Sequence, residues 1–361
     1  MKQQFRYLFI FLSLFYFTSC DDDTVGGEGL PTPVVVETTY TNGVFIINEG
    51  NFGTPNGSMS FFTSEKVLNT NIFKNKNNRT LGDVIQSFTI EDTIGYVIVN
   101  NDNKMEVVNA KTFAEIASIE NLHLPRFFLK VSDSKAYISN WGNFSSVSPY
   151  IAIFDLNTNQ VTGKIENASF SGLEQMAMAN NKVYVANNFS NTVSVIDATT
   201  DKVTEHLTLG DAPARVKLVN NEIWVLTSGS FNFTFSDPTD DTRGRLIKID
   251  PSDNSIDLSL EIGNVGEHPG ILETDGTSLY YVNSGSTYKM ASTATTLPTT
   301  ALISGQFFYG LGVDPKTGNI YGGNANGFTA LGAAFVYDNN GTLIEQFLTG
   351  GIGPNGFVFV D

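Results

Sequence analysis

The stretch Val183–Asp211, VYVANNFSNTVSVIDATTDKVTEHLTLGD, decides the fold. Two short runs, Val183–Ala186 and Thr192–Ile196, are dominated by Val, Ile, Thr and Tyr. Those residues suit a pleated surface that buries one face. Asn188–Asn191 separates the runs, a turn at Asp197–Asp201 follows, and a third run, Val203–Leu209, ends in Gly-Asp. None has the length or spacing of a helix. With Gly172–Ala179 ahead of them, they make one four-stranded antiparallel unit of about forty residues, the period of a propeller blade.

The unit recurs. An aromatic residue followed three positions later by Asn appears as Phe45/Asn48, Tyr137/Asn140, Tyr184/Asn187, Tyr280/Asn283 and Tyr321/Asn324. Tyr96/Val99 (with Asn100 next) and Trp224/Thr227 are imperfect copies. Seven copies predict an all-β, seven-bladed propeller of four-stranded blades. Downstream strands end in acidic or amide residues, at Asn109, Asp155, Asp197, Asp250 and Asp338. These are read as turn chemistry, their side chains bonding nearby backbone.

The chain opens with an address. Lys2 and Arg6 flank a short apolar core, Tyr7–Phe17, followed by Thr18-Ser19-Cys20. This reads as a signal peptide over 1–19, with the only cysteine, Cys20, as the lipidated N-terminus of the mature protein. Losing Lys2 and Arg6 takes the basic count from 21 to 19 against 37 acidic residues, a net of −18. No basic stripe is visible, which argues against a nucleic-acid partner. Residues 20–42 begin with Asp21-Asp22-Asp23 and are rich in Gly, Pro and Thr. They read as a tether of up to about 60 Å.

Residues 43–361 read as one domain. Blade 1 starts at Val44 with its second strand, and Gly356–Asp361 is an orphan strand at the other end of the chain. Pairing the two closes the ring and removes an exposed sheet edge. Blade 2 then spans 84–124, blade 3 125–170, blade 4 171–211, blade 5 212–267, blade 6 268–305 and blade 7 306–351. Blade 5 carries an insertion, Ser228–Gly244, and the third strand of blade 6 is poorly patterned near Ser286–Met290.

YVANNFSNTVSVIDATTDKV resembles the repeat of the YVTN, or YncE-like, seven-bladed propeller family, closely over blade 4 and weakly over blade 6. The family implies the fold and leaves activity open. The acids after Cys20, together with VFIINEGNFGTPNGSMSFF (44–62), are similar to surface lipoproteins beside TonB-dependent transporters, of the cobalamin-capturing BtuG type. That resemblance implies an outer-membrane lipid anchor facing the cell exterior, a corrinoid ligand and a TonB-dependent outer-membrane transporter as partner.

Two loop types open on one face of a propeller: those between the second and third strands, and those joining one blade to the next. The first type repeatedly holds an aromatic: Phe52, Trp141 and Phe144, Phe189, Phe231 and Phe233, Phe328. The second type adds His123, Arg126, Phe170, Arg215, His268 and Gln306–Tyr309. The rings either surround a shallow cup or fold back to plug the blade tops. In a cup, each stacked ring adds about 0.5–1.5 kcal/mol beyond its buried area. Phe52, Trp141, Phe144, Phe189, Phe231 and Phe328 are thus expected around one channel mouth. His123, Arg126, Arg215, His268 and Tyr309 are expected nearer its axis.

Catalytic signatures are thin: there is no Gly-rich phosphate loop, no HExxH, and no cysteine beyond Cys20. His123 and His268 read either as neutral loop histidines or as axial ligands to cobalt or haem iron. Asp237, Asp240 and Asp241 read either as a solvated loop tip or as calcium ligands. Glu174, Arg215 and Glu273 are the ionisable groups that acid–base chemistry could use. The expectation is a binding protein with no cofactor or resident metal. The alternatives are a lactonase-like or other hydrolytic propeller, and a glycan-binding or protein-interaction scaffold.

Overall fold

A computed structural model describes residues 38–230 and 241–361. Its strands form seven antiparallel sheets, six of four strands and one of three. The ring is the expected seven-bladed propeller. The innermost strands begin at Ile85, Pro125, Leu173, Pro213, Ile271 and Gly310 in blades 2 to 7. In blade 1 the innermost strand is the last in the chain, Pro354–Val360, which pairs with Gly43–Asn48 from Val360 opposite Gly43 to Pro354 opposite Asn48.

Turn residues set the hairpins. Asn180-Asn181 and Asn220-Asn221 join first to second strands in blades 4 and 5, all four with φ between 48° and 63°. Two successive left-handed residues give the primed turn whose twist matches paired strands, and Asn tolerates that conformation. At the turns from third to fourth strands, Asp197 accepts the backbone N–H groups of Thr199 and Thr200 at 2.9 and 2.8 Å. These bonds hold its carboxyl below the usual range.

Second strands are buried throughout, as in Val183–Asn187, whereas the outermost strand Lys202–Thr208 is largely exposed. The second strand lies between neighbouring blades, so both of its faces need apolar side chains. The core accordingly divides into seven clusters, each shared by two adjacent blades. Phe45 and Phe61 of blade 1, for example, meet Phe88 and Phe113 of blade 2. Polar clasps reinforce two junctions. Lys135 reaches the blade-4 turn at Asp201 (2.6 Å) and the Ala198 carbonyl (2.7 Å), and the Tyr137 hydroxyl donates to Asp201 as well. One blade further on, Tyr184 donates to Asn254 at 2.6 Å.

Blade 6 departs from the repeat in a different place from the one expected. Its third strand, Ser286–Ala291, forms and pairs fully with Ser278–Asn283. The fourth strand is the missing one, and a single bridge between Thr287 and Ile303 occupies its place. A short helix, Ile72–Asn77, buries Ile72 and Phe73 between blades 1 and 2. The segments assigned to the signal peptide, Cys20 and the tether up to residue 37 lie outside the described residues, as do Phe231, Phe233, Asp237 and Asp240. The last residues assigned to the tether, 38–42, belong instead to the propeller, where Tyr40 is buried against Phe45, Phe61 and Phe113.

Deleting Gly356–Asp361 removes most of the closing strand and strips both junctions flanking blade 1. The expected loss is on the order of 4 kcal/mol or more, read as a large drop in Tm by calorimetry. An unchanged Tm would refute the closure argument.

Candidate ligand-binding site

Five innermost strands share one irregularity. Next to the face carrying the aromatic loops, the ladder to the second strand slips by one residue in blades 1 to 5. The extra residue is Asn355, Gln86 or Ala214 in blades 1, 2 and 5. In blades 3 and 4 the slip covers Arg126-Phe127 and Glu174-Gln175. A bulge re-aims side chains that a regular strand would point elsewhere. Asn355, Gln86, Arg126 and Gln175 line an axial cavity of about 700 Å³, with Arg215 directly after its bulge. The volume is within the range of small-molecule sites.

The wall mixes apolar side chains such as Phe127, Met176 and Phe357 with polar ones, and the polar ones are connected to one another. Arg126 donates from Nε to Glu174 Oε1 at 3.0 Å, and its Nη1 donates to Gln86. Its guanidinium lies 4.0 Å from the Trp141 ring centroid, a cation–π contact. Lys217 pairs with Glu273 at 2.7 Å deeper along the same inner strands. Opposite, the Tyr309 hydroxyl donates to Glu49, which also takes a 3.4 Å bond from Asn355 Nδ2. Burial raises the Glu49 carboxyl above its ordinary range, against the lowering effect of Tyr309, Arg126 and Asn355. Burial, and then the Glu49 charge, raise the Tyr309 phenol.

The loop aromatics divide into two groups. Phe52, Phe144 and Phe189 are 79%, 69% and 52% exposed, so these three do not plug the blade tops. Trp141, Phe144 and Phe189 form one cluster, with Trp141 4.9 Å from Phe189 and 6.0 Å from Phe144 between centroids. Phe189 lies so close over Gly172 that a Cβ there would come within 2.6 Å of its ring. Across the mouth, Phe328 meets Tyr309 edge-on at 4.9 Å, and its carbonyl accepts Asn51 Nδ2 at 2.9 Å. Asp83 holds the Phe52 loop by accepting the Gly53 N–H at 2.8 Å. Phe170 and Phe308, by contrast, fold into the blade core.

Of the residues proposed from sequence, Phe52, Trp141, Arg126, Arg215 and Tyr309 line the cavity, and Phe144, Phe189 and Phe328 flank it through ring contacts. His123 and His268 are not on its wall. The His123 ring turns outward, its Nδ1 3.2 Å from the buried Tyr150 hydroxyl. The His268 ring lies between the Ser228 carbonyl at 3.1 Å and Asp241 at 3.3 Å. Each imidazole is drawn to polar partners distant in sequence (Tyr150 for His123, Ser228 and Asp241 for His268), and neither lines the cavity. Among the described residues, no group of three His, Cys, Asp or Glu is arranged to hold a metal ion. Sequence reading missed Gln86, Gln175 and Asn355 because a bulge leaves no compositional mark, and Glu49 because it stands just past the end of a second strand, among partners more than 250 residues away. The one usable signal was a polar residue near the start of an otherwise apolar inner strand, as in Ile85-Gln86 and Pro125-Arg126.

The geometry defines a seven-bladed propeller with an aromatic-rimmed cavity on its axis, lined by apolar and polar side chains. The chain belongs to the family described as a domain of unknown function, DUF5074, whose model matches residues 42–359. No curated protein matches it. Among solved structures, it is similar to a quinonprotein alcohol dehydrogenase-like protein from Bacteroides thetaiotaomicron, with 14% identity, 89% of this chain and 79% of that one covered, and a TM-score of 0.68. Hydrazine synthase of Kuenenia stuttgartiensis matches at 12% identity over 88% of this chain and 99% of that one, with a TM-score of 0.62. A functionally unknown protein from Desulfotomaculum acetoxidans matches at 12% over 89% of this chain and all of its own, with a TM-score of 0.63. At these identities the likeness is one of fold.

Phe144 holds φ at 57°, a left-handed conformation that costs a bulky residue about 1–3 kcal/mol. Phe144→Gly should therefore leave Tm unchanged or raise it despite the lost ring contacts. Phe128→Ala, in the core, should cost about 3–5 kcal/mol. Paired thermal melts test both, and a large loss for Phe144→Gly would refute the strain argument.

Glu49 gives a pH test. Its folded pKa lies above the unfolded value, so the native state binds the extra proton and stability falls as pH rises through the raised pKa. The stability of wild type relative to Glu49→Gln should thus be greatest in acid and decline toward neutrality. Denaturant melts across that range measure it, and a difference that grew with pH would contradict the burial effect.

Proposed function

We propose that this chain is a ligand-capture protein rather than an enzyme. In this reading it is a cell-surface lipoprotein anchored through Cys20, which binds cobalamin or a related corrinoid at the axial cavity. It then delivers the ligand to a TonB-dependent outer-membrane transporter. The observation carrying the binding reading is the placement of Phe52, Phe144 and Phe189 in solvent beside a cavity of about 700 Å³. Exposed rings add nothing to the core, and Phe144 is held there on a strained backbone. Their use lies in covering the flat apolar face of a partner molecule. Amide groups on the wall (Gln86, Gln175, Asn355) suit the amide-fringed rim of a corrinoid. The lipid anchor and the transporter partner rest on the resemblance of the N-terminal stretch and of residues 44–62.

Calorimetric titration of cobalamin, haem and a representative oligosaccharide tests this. Trp141→Ala and Phe189→Ala should each weaken the preferred ligand by about 1–3 kcal/mol with the fold intact. Heat from none of the three, or binding indifferent to both substitutions, would sink the reading.

A further inference from the structure

We infer that the axial cavity carries an oxyanion subsite centred on Arg215, so that its ligand joins a flat apolar body to a carboxylate or phosphate group. The inference rests on the ligand-capture reading and specifies which chemistry is captured. It follows from how the cavity's cations are engaged. Arg126 is fully committed: Nε and Nη2 meet Glu174 Oε1 at 3.0 and 2.8 Å, Nη1 meets Gln86, and its face covers Trp141. Lys217 is matched by Glu273. Arg215 is neither. It makes one hydrogen bond, from Nη1 to the Ala214 carbonyl at 3.2 Å. Its nearest carboxylate oxygen, Glu174 Oε2, lies 3.9 Å away, beyond hydrogen-bond reach. That leaves Nε and Nη2 without a hydrogen-bond partner among the described residues, on a side chain that lines the cavity.

Charge points the same way. Glu174 answers Arg126 at 2.8 Å and Glu273 answers Lys217 at 2.7 Å. The guanidinium of Arg215 therefore shares its nearest carboxylate with Arg126 and has none of its own within hydrogen-bond reach, in a chain of net −16. A planar guanidinium partly withdrawn from water, with two adjacent free donors, favours a two-oxygen acceptor such as a carboxylate or phosphate. Position ties the subsite to the rings. One carboxylate, Glu174, separates Arg215 from the guanidinium stacked on Trp141, and Trp141 leads to Phe144 and Phe189. The face of Arg215 also lies 5.7 Å from the Phe127 ring, which limits where its donors can turn. The competing arrangement is internal: Arg215 rotates onto the unpartnered Glu174 Oε2 and closes the pair.

Fluorescence titration of the mature chain with three pyrene probes decides between them: 1-pyrenebutyrate, 4-(1-pyrenyl)butyl phosphate and the uncharged 4-(1-pyrenyl)butanol. At low ionic strength at least one anionic probe should bind about tenfold or more tighter than the alcohol, and salt should erode that advantage. Comparing the two anions shows which head group the subsite takes. Arg215→Gln should abolish the preference while alcohol binding persists, and Arg215→Lys should restore part of it. Equal affinity for all three probes would overturn the anion subsite and leave ligand capture standing. A preference that survives Arg215→Gln would also overturn it. Failure of every probe to bind would remove both the subsite and the aromatic cup beneath it.

Discussion

Each blade of this propeller buries its apolar flanks only against its neighbours. Phe45 is packed in part by Phe88 and Phe113 of blade 2, and Trp224 shares its cluster with Leu272, Leu279 and Tyr281 of blade 6. A blade alone would expose two greasy faces, so the ring gains stability only as a whole. That need for mutual cover makes the pairing of Pro354–Val360 with Gly43–Asn48 decisive. It supplies the seventh junction, where Phe357 meets Val44 and Ile46, and seals the only seam between the ends of the domain. The clasps of Lys135 and Tyr137 onto the next blade's turn add direction to that cover. They fix the rotation from one blade to the next.

Closure by rotation has a consequence for chemistry. Equivalent positions in successive blades fall at the same height and face the same axis. A bulge repeated in blades 1 to 5 therefore builds a belt of Asn, Gln, Arg and Glu side chains at one level of the channel. Blades 6 and 7 lack that bulge, and blade 6 lacks its fourth strand. There the wall is completed instead by Tyr309, from the connection into blade 7, and by Glu273. The site is asymmetric because the repeats are unequal. The aromatic cluster belongs to blades 3 and 4, the loosely engaged Arg215 to blade 5, and the buried Glu49 carboxyl to blade 1.

Much of this was legible in the sequence, for identifiable reasons. Burial on both sides forces the second strand of each blade to be apolar, so Val183–Ala186 and its copies reveal the repeat. The unpaired copy at Val44 and the orphan run at Gly356 reveal the seam. Loop rings were legible where Gly and Asn surround them, as with Phe52, Phe144 and Phe189. Phe170 and Phe308 have similar surroundings, yet a void between blades takes them in, and local sequence does not record that space. The histidines failed for a related reason. His123 begins the approach to an inner strand, but the direction of its ring is set by Tyr150, 27 residues away. Asn355 acquires its role through a register slip between the two ends of the chain, and Glu49 through partners more than 250 residues away, neither of which a local pattern encodes.

The strained phenylalanines show how such a frame is used. Phe144 and Phe328 both hold left-handed backbone, at φ 57° and 60°, in loops of opposite blades. Loops freed from the core would relax, and a Gly at either position would avoid the strain. They do not relax because their ends are clamped. Asn143 accepts the N–H groups of Ser146 and Val147 at 2.8 Å each, and Asn324 accepts that of Asn326 at 2.8 Å. A closed ring can bear about 1–3 kcal/mol at each such point because its stability is spread over seven junctions. In return the rings are held in place before any ligand arrives, which lowers the ordering cost of binding. The junctions thus carry the fold, the bulges aim the polar side chains of the wall, and the clamped loops fix the apolar rim. Loop sequence can change the ligand while the packing between blades remains the same.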